Sequence, residues 1–227
     1  MIHLSPRLAM VASMAKDGQP LADIGTDHAY VPAYLVLSGR IPSAIAADLR
    51  PGPLQRAEET VAKYHLEDKV TLQLSDGFQS LAPGCLHNFI LAGMGGNLIT
   101  DIFLRSPWVK EVGNHFVLQP QSHQEDLREY LFQNGFSILR EELCEDTGRI
   151  YVAMEVIYTG EPGPSDPVSY YVGALGKTES PLKEAYFRQV FKRLENRLNG
   201  LRTSGANPEE QAAILSLLDG IRKDVSL

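Results

Sequence analysis

The feature that most constrains this chain is a regular alternation of strand-like and helix-like runs as far as about residue 158. Apolar runs at residues 20–25, 43–48, 69–74, 89–92 and 114–119 read as short buried strands. Helical periodicity marks residues 29–39, 53–64, 98–104 and 124–134, with Pro53 in a first turn and Gly39 and Gly135 as stops. Residues 136–142 and 149–158 read as a closing β-hairpin. Repeated βα units that end in two antiparallel strands predict an α/β fold. Its sheet is mostly parallel, with helices on both faces and right-handed crossovers.

Residues 159–169 are rich in Pro and Gly and read as a linker. Two amphipathic helices follow. The first has an apolar stripe of Leu182, Tyr186, Val190, Leu194, Leu198 and Leu201. The second opens at Asn207-Pro208-Glu209-Glu210, a cap, a first-turn proline and two acids at the positive helix end. Ile214, Leu217, Leu218 and Ile221 form its stripe. The expected organisation is therefore a ligand-binding domain over 1–160 and an antiparallel helical hairpin, a short coiled coil, over 161–227. A chain of 227 residues, 44% of them hydrophobic, has enough length and apolar content for both.

Charge is unevenly spread. The formal net charge is −7. Residues 1–160 hold 12 Lys and Arg against 19 Asp and Glu, whereas residues 161–227 hold 9 of each. The acidic balance argues against a simple nucleic-acid binder. Within the first tail helix, however, Lys183, Arg188, Lys192, Arg193 and Arg197 form a basic run. Such a run either contacts phosphate or makes an ordinary solvated helix face. No apolar stretch reaches the roughly 18 residues of a membrane span. Pro6 and Arg7 interrupt any leader-like run at the start. Cys85 and Cys144 form no CxxC pair and have no zinc-site spacing, so reduced thiols, no metal and a cytoplasmic location are expected. Nothing in the sequence fixes the oligomeric state; a monomer is the expectation.

In an open α/β sheet, ligands bind outside the carboxyl ends of the strands. Those ends read Asp23-Ile24-Gly25-Thr26-Asp27-His28, then Asp48, then Asp76-Gly77, then Ala92-Gly93-Met94-Gly95-Gly96, then Gln119-Pro120-Gln121. The first turn is not GxGxxG, and Asp27 stands where a diphosphate would need bare backbone. Carboxylates repel phosphates, so the turn disfavours NAD and FAD. An acid-rich rim suits a cationic ligand without phosphates. S-adenosylmethionine, with its sulfonium, ammonium and ribose, has that chemistry. Asp48, at the end of the second strand, is placed to accept from ribose hydroxyls, and Asp76 to meet an adenine amino group. Gly25 allows close approach to the backbone. Taken singly, an aspartate at a strand end equally serves as a helix cap.

At these residues the chain resembles the bacterial tRNA (adenine-22 N1)-methyltransferase family, often called TrmK. The resemblance is carried by Leu4-Ser5-Pro6-Arg7-Leu8, by residues 21–32, and by Asp76-Gly77. It continues through Ile90-Leu91-Ala92-Gly93-Met94-Gly95-Gly96, Leu118-Gln119-Pro120-Gln121 and Asn134-Gly135-Phe136. It extends more loosely into the tail. Thr26 stands where serine is expected, and Gln121 where asparagine is frequent.

The resemblance implies a Rossmann-like class I methyltransferase sheet, an S-adenosylmethionine cofactor and a tRNA partner. Asp23, Gly25, Thr26, His28, Asp48, Asp76, Gly77, Ala92 and Gly93 are expected at the cofactor. Asp27, Met94, Gln119 and Gln121 are expected around the target base, with Asp27 accepting from its amino group or else holding the cofactor ammonium. Arg7 and the five tail cations named above are expected to meet RNA. A target N1 engaged in a stem must be unpaired and extruded before it can react. On the residues alone, a methyltransferase for small molecules or proteins and a non-catalytic cofactor-binding regulator also remain open.

Overall fold

The computed structural model describes residues 2–225; Met1 and the last two residues, inside the expected domain limits, lie outside the described residues. The first half runs α1 (Pro6–Met14), β1 (Leu21–Ile24), α2 (Tyr30–Leu37), β2 (Ala44–Asp48), α3 (Pro51–Lys63) and β3 (Val70–Leu74). Then come β4 (Asn88–Gly95), α4 (Gly96–Leu104), β5 (His115–Ser122), α5 (Gln124–Gln133), β6 (Phe136–Asp146) and β7 (Arg149–Tyr158). Three further helices follow: α6 (Pro167–Val172), α7 (Lys183–Ser204) and α8 (Pro208–Val225).

The seven strands form one sheet in the order β3-β2-β1-β4-β5-β7-β6. The first five are parallel, and β7 slots antiparallel between β5 and β6. The β6–β7 turn is Thr147-Gly148, both residues at positive φ (50° and 74°), a pair that matches the twist of a two-residue hairpin. Strand side chains alternate between two apolar cores. Phe89, Leu91, Phe116 and Leu118 face one side with α4 and α5; Ile90 and Val117 face the other with α1, α2 and α3. Both faces are covered, which is why these strands read as continuous apolar runs.

Four features differ from the sequence reading. Helix α1 was not expected; Ser5 caps it by accepting from the Leu8 amide, and Pro6 fills its first position. Helix α3 starts at Pro51 rather than Pro53. The linker expected at 159–169 contains the start of α6, where Asp166 caps by accepting from the Ser169 amide and Pro167 follows it. The Asp-Pro pair is a helix start signal hidden by the surrounding Pro and Gly. Lastly, β4 and β5 run on past Ala92 and Gln119, through a pair of bulges described below.

The C-terminal helices are not a free-standing coiled coil. Tyr186, Phe187, Val190 and Leu194 of α7, with Ile214, Leu218 and Ile221 of α8, belong to the same buried cluster as Phe89 and Phe116 of the sheet. The joint is pinned by a buried ion pair between Arg128 of α5 and Glu141 of β6, both 1% exposed and 2.9 Å apart. Arg128 also donates to the Tyr170 and Tyr171 carbonyls of α6. Glu141 accepts from the Ala174 and Leu175 amides. Gly173 sits between them at φ +55°, where a Cβ would lie 2.1 Å from Glu141 Oε2.

Candidate active site

Two adjoining cavities, of about 420 and 380 Å3, open at the carboxyl edge of the sheet. Gly25, Asp48, Arg50, Ala92 and Gly93 line both. These residues sit at the ends of β1, β2 and β4, and β1 and β4 flank the point where strand order reverses.

The first cavity is acidic and polar. Asp23, at 7% exposure, accepts from the Thr26 hydroxyl and lies beside Asp48. Burial pushes its carboxyl up to about 6; the nearby Asp48 charge adds to the rise and the Thr26 hydrogen bond opposes it. Thr26 also accepts from the Ala29 amide at 3.2 Å, which fixes the turn into α2. The Gly25 and Thr26 amides both donate to the Ala47 carbonyl, tying the β1 turn to β2. Gly25 has φ +80°, a left-handed conformation that favours glycine, and the flexible end of Met94 packs over it. Asp48 accepts from the Arg50 amide at 2.8 Å.

The second cavity is more apolar on one wall. Leu49 and Leu98 border it, 61% and 47% exposed, and give that wall an apolar surface. Asp76 stands opposite, paired with Arg105 at 2.5 Å. The hydrogen bond from Arg105 holds its carboxyl below the usual carboxylate range. Two buried acids, a glycine floor and an apolar slot ending in an acceptor fit the charge, ribose and adenine of S-adenosylmethionine.

The wall between β4 and β5 is built by the paired bulges. Ala92 pairs with Gln119, Met94 with Pro120 and Gly95 with Ser122, so Gly93 and Gln121 are left unpaired. Both unpaired residues line the first cavity. Bulges re-aim backbone and side chains in this way, and they also let Pro120 sit in a strand. Gln119, fully buried behind them, accepts from the Gly93 amide at 3.1 Å and from Arg7 Nη1 at 3.0 Å.

Residues 4–154 match the family described as "Methyltransferase domain". The chain is also 33% identical to the tRNA (adenine(22)-N(1))-methyltransferase of Bacillus subtilis over 175 residues, covering 77% of this chain and 73% of that protein. The chain belongs to this methyltransferase family. The crystal structure of B. subtilis TrmK superposes with a TM-score of 0.87 at 26% identity, over 99% of this chain and all of that one. A Streptococcus pneumoniae relative solved in complex with S-adenosyl-L-methionine gives 0.84 at 29% identity, over 98% of this chain and all of that one. The seven-stranded sheet is accordingly a Rossmann-like methyltransferase sheet.

Within this methyltransferase, the sequence-based cofactor residues Asp23, Gly25, Thr26, His28, Asp48, Asp76, Gly77, Ala92 and Gly93 all line the two cavities. The expected base-contacting set is split. Asp27 and Gln121 line the first cavity, whereas Met94 lies in the second, over Gly25. Gln119 lines neither cavity, because its side chain turns into the protein to hold Gly93 and Arg7. Asp27 is paired with Arg56 and lies 3.5 Å from His28, with its carboxylate largely exposed.

Most of the residues expected at RNA carry partners within the protein. Arg7 reaches the cavity, but its guanidinium is bound to Gln119 and lies over the Tyr151 ring. On α7, Arg188 pairs with Glu184, Arg193 with Glu125 and Arg197 with Glu210, and Lys183 donates to the Gly176 carbonyl. Lys192 has no hydrogen bond or ion pair among the described residues. This intramolecular pairing is invisible in a linear count of charges.

Sequence reasoning missed Arg56, Leu49 and Leu98. Arg56 is one face of α3, and only the crossover brings it to Asp27. Tyr30 is 40% exposed and stacks on His28 at 4.9 Å, so it is an aromatic face at the cavity mouth. No helix is long and apolar enough to cross a membrane, and no cluster of three metal-ligating side chains occurs among the described residues.

Proposed function

We propose that this chain transfers a methyl group from S-adenosylmethionine to N1 of adenine 22 in tRNA. The observation that carries the reading is the pair of buried acids, Asp23 and Asp48, on a cavity that bears no phosphate-binding turn. It sits within a family whose B. subtilis member is a tRNA (adenine(22)-N(1))-methyltransferase. When bound, the cofactor supplies an electrophilic methyl on a sulfonium, and adenine N1 has the lone pair to take it without a strong base.

The residues then divide by chemistry. Asp23 and the Gly25-Thr26 turn hold the methionine end, where the ammonium lets Asp23 ionise. Asp48 accepts from the ribose hydroxyls. Asp76, kept charged by Arg105, accepts from the adenine amino group, and Leu49 and Leu98 cover the ring. Gly93 and Gln121 face the space left for the target base, and the stacked His28–Tyr30 pair offers it a flat surface. The Arg56–Asp27 pair places an acceptor at the same mouth, where the methylated base becomes cationic. Gln119 is a positioning residue that fixes the Gly93 turn. These roles make the enzyme's task one of orientation and electrostatics. Residues 161–225 close the fold and present cations to RNA from a cytoplasmic, monomeric protein.

The test is methyl transfer from labelled cofactor to unmodified bacterial tRNA, with the product nucleoside identified by mass spectrometry. The expected product is 1-methyladenosine, lost when adenine 22 is replaced. Tight cofactor binding with no transfer to any tRNA overturns the substrate assignment.

A further inference from the structure

A third hollow, a groove of about 480 Å3, runs from the active site toward the tail helices. It begins at Gln121, which lines the first cavity as well. One wall is β7, through Arg149 and Tyr151; the other is one face of α7, through Tyr186, Gln189 and Arg193. Positions 186, 189 and 193 recur at helical spacing, so they point the same way. In a chain with 28 acids against 21 cations, no acid lines this groove, and both charged lining residues are arginines.

The two arginines are presented differently. Arg149 is exposed at the start of β7, and its side chain makes no ion pair or hydrogen bond among the described residues. Arg193 is braced by Glu125 at 3.0 Å, and Glu125 itself is not in the lining. Amide side chains of Gln124 and Gln189 supply further donors between them. Planar guanidinium groups are the natural partners of phosphate oxygens, and a fixed fork loses less freedom on binding.

We infer that this groove is the track for the sugar-phosphate chain flanking the target nucleotide, with Arg149 and Arg193 each on a phosphate. The inference rests on the proposed tRNA reading. A base drawn out of a stem into the first cavity must have its backbone at the cavity mouth, and the groove is the acid-free path that leaves from there at Gln121. It also answers the charge problem: the acids line the cofactor cavities, whereas RNA meets a separate basic channel between the sheet and the tail.

The test uses the full chain with Arg149→Gln, Arg193→Gln and the double variant. Arg222→Gln is the control, since Arg222 pairs with Glu195 on the α7–α8 seam and is not in the groove lining. Affinity for tRNA is measured across a salt series, beside kcat, KM for tRNA and cofactor affinity. Each single change is expected to raise KM for tRNA about three- to tenfold. The double variant should flatten the log–log salt slope by about two, the loss of two phosphate contacts. Cofactor affinity and kcat at saturating tRNA should stay near wild type, which a merely structural defect would not allow. Arg149→Lys should recover part of the affinity. A double variant with wild-type tRNA affinity and salt slope overturns the groove and points to another occupant, such as an acidic peptide. A wild-type chain that binds no tRNA overturns the substrate reading and the groove together.

Discussion

At the scale of single residues, the site depends on acids kept in different states by their surroundings. Asp76 is ionised by Arg105, whereas Asp23 is buried with a carboxyl near 6. The folded state therefore holds a proton on Asp23 between about pH 4 and 6 that the unfolded chain, with its ordinary value of 3.8, has already released. Its effect on stability is unfavourable above pH 6, shrinks as pH falls through that window, and vanishes below both values. Asp23→Asn is thus expected to raise apo-protein stability at pH 7.5 by about 2 to 3 kcal/mol, with the gap closing near pH 4 and cofactor affinity reduced. Urea melts at a series of pH values check this; an equal gain at pH 4 and 7.5 would assign the effect to something other than ionisation. For Asp48→Ala, calorimetry should show the cofactor dissociation constant rising about tenfold, roughly 1.4 kcal/mol for lost charge-assisted hydrogen bonds. An unchanged constant in a folded variant would remove Asp48 from the ribose site.

At the scale of elements, the paired bulges and the Arg128–Glu141 pair do what helices and strands alone cannot. The bulges turn Gly93 and Gln121 into the cavity while Gln119 anchors both strands from behind. The ion pair joins α5, β6 and α6, with four backbone groups bonded to Arg128 Nη1 and Glu141 Oε2. Removing one partner leaves a buried uncompensated charge, a cost of about 3–5 kcal/mol. Glu141→Ala should therefore lower unfolding free energy by that amount in denaturant titration. A loss under about 1 kcal/mol would mean that the pair is bystander to the joint. These devices were not legible beforehand, because bulge register and the partner of a buried arginine are set by strands and helices distant in sequence.

At the scale of the whole molecule, the tail and the sheet are one body. The apolar stripes of α7 and α8 close over the same core that holds Phe103, Phe116 and Phe136. A chain cut after residue 161 is expected to lose more than the cations of α7. It uncovers Tyr130, Leu131 and the Arg128–Glu141 pair, and its melting temperature should fall by at least about 10 °C or its cooperative transition should disappear. Differential scanning calorimetry decides the point, and an unshifted transition would show that the sheet domain stands alone. The uneven charge also acquires meaning only here: cations that look clustered along α7 are mostly paired, while Arg149, unremarkable in the sequence, stands in an acid-free groove beside Arg193.

What the sequence determined by itself was whatever depends on local periodicity and on residues at strand ends. The βα alternation set the sheet and its closing hairpin, and Asp23, Gly25, Asp48 and Asp76-Gly77 marked the rim of the two cavities, because in a parallel sheet every strand delivers its carboxyl end to one edge. Tertiary structure alone decided what each side chain meets. Asp27, Arg7 and four of the five tail cations already have partners within the protein, and Gln119 faces inward. A side chain's availability depends on what the fold brings against it, and no spacing rule along the chain contains that information.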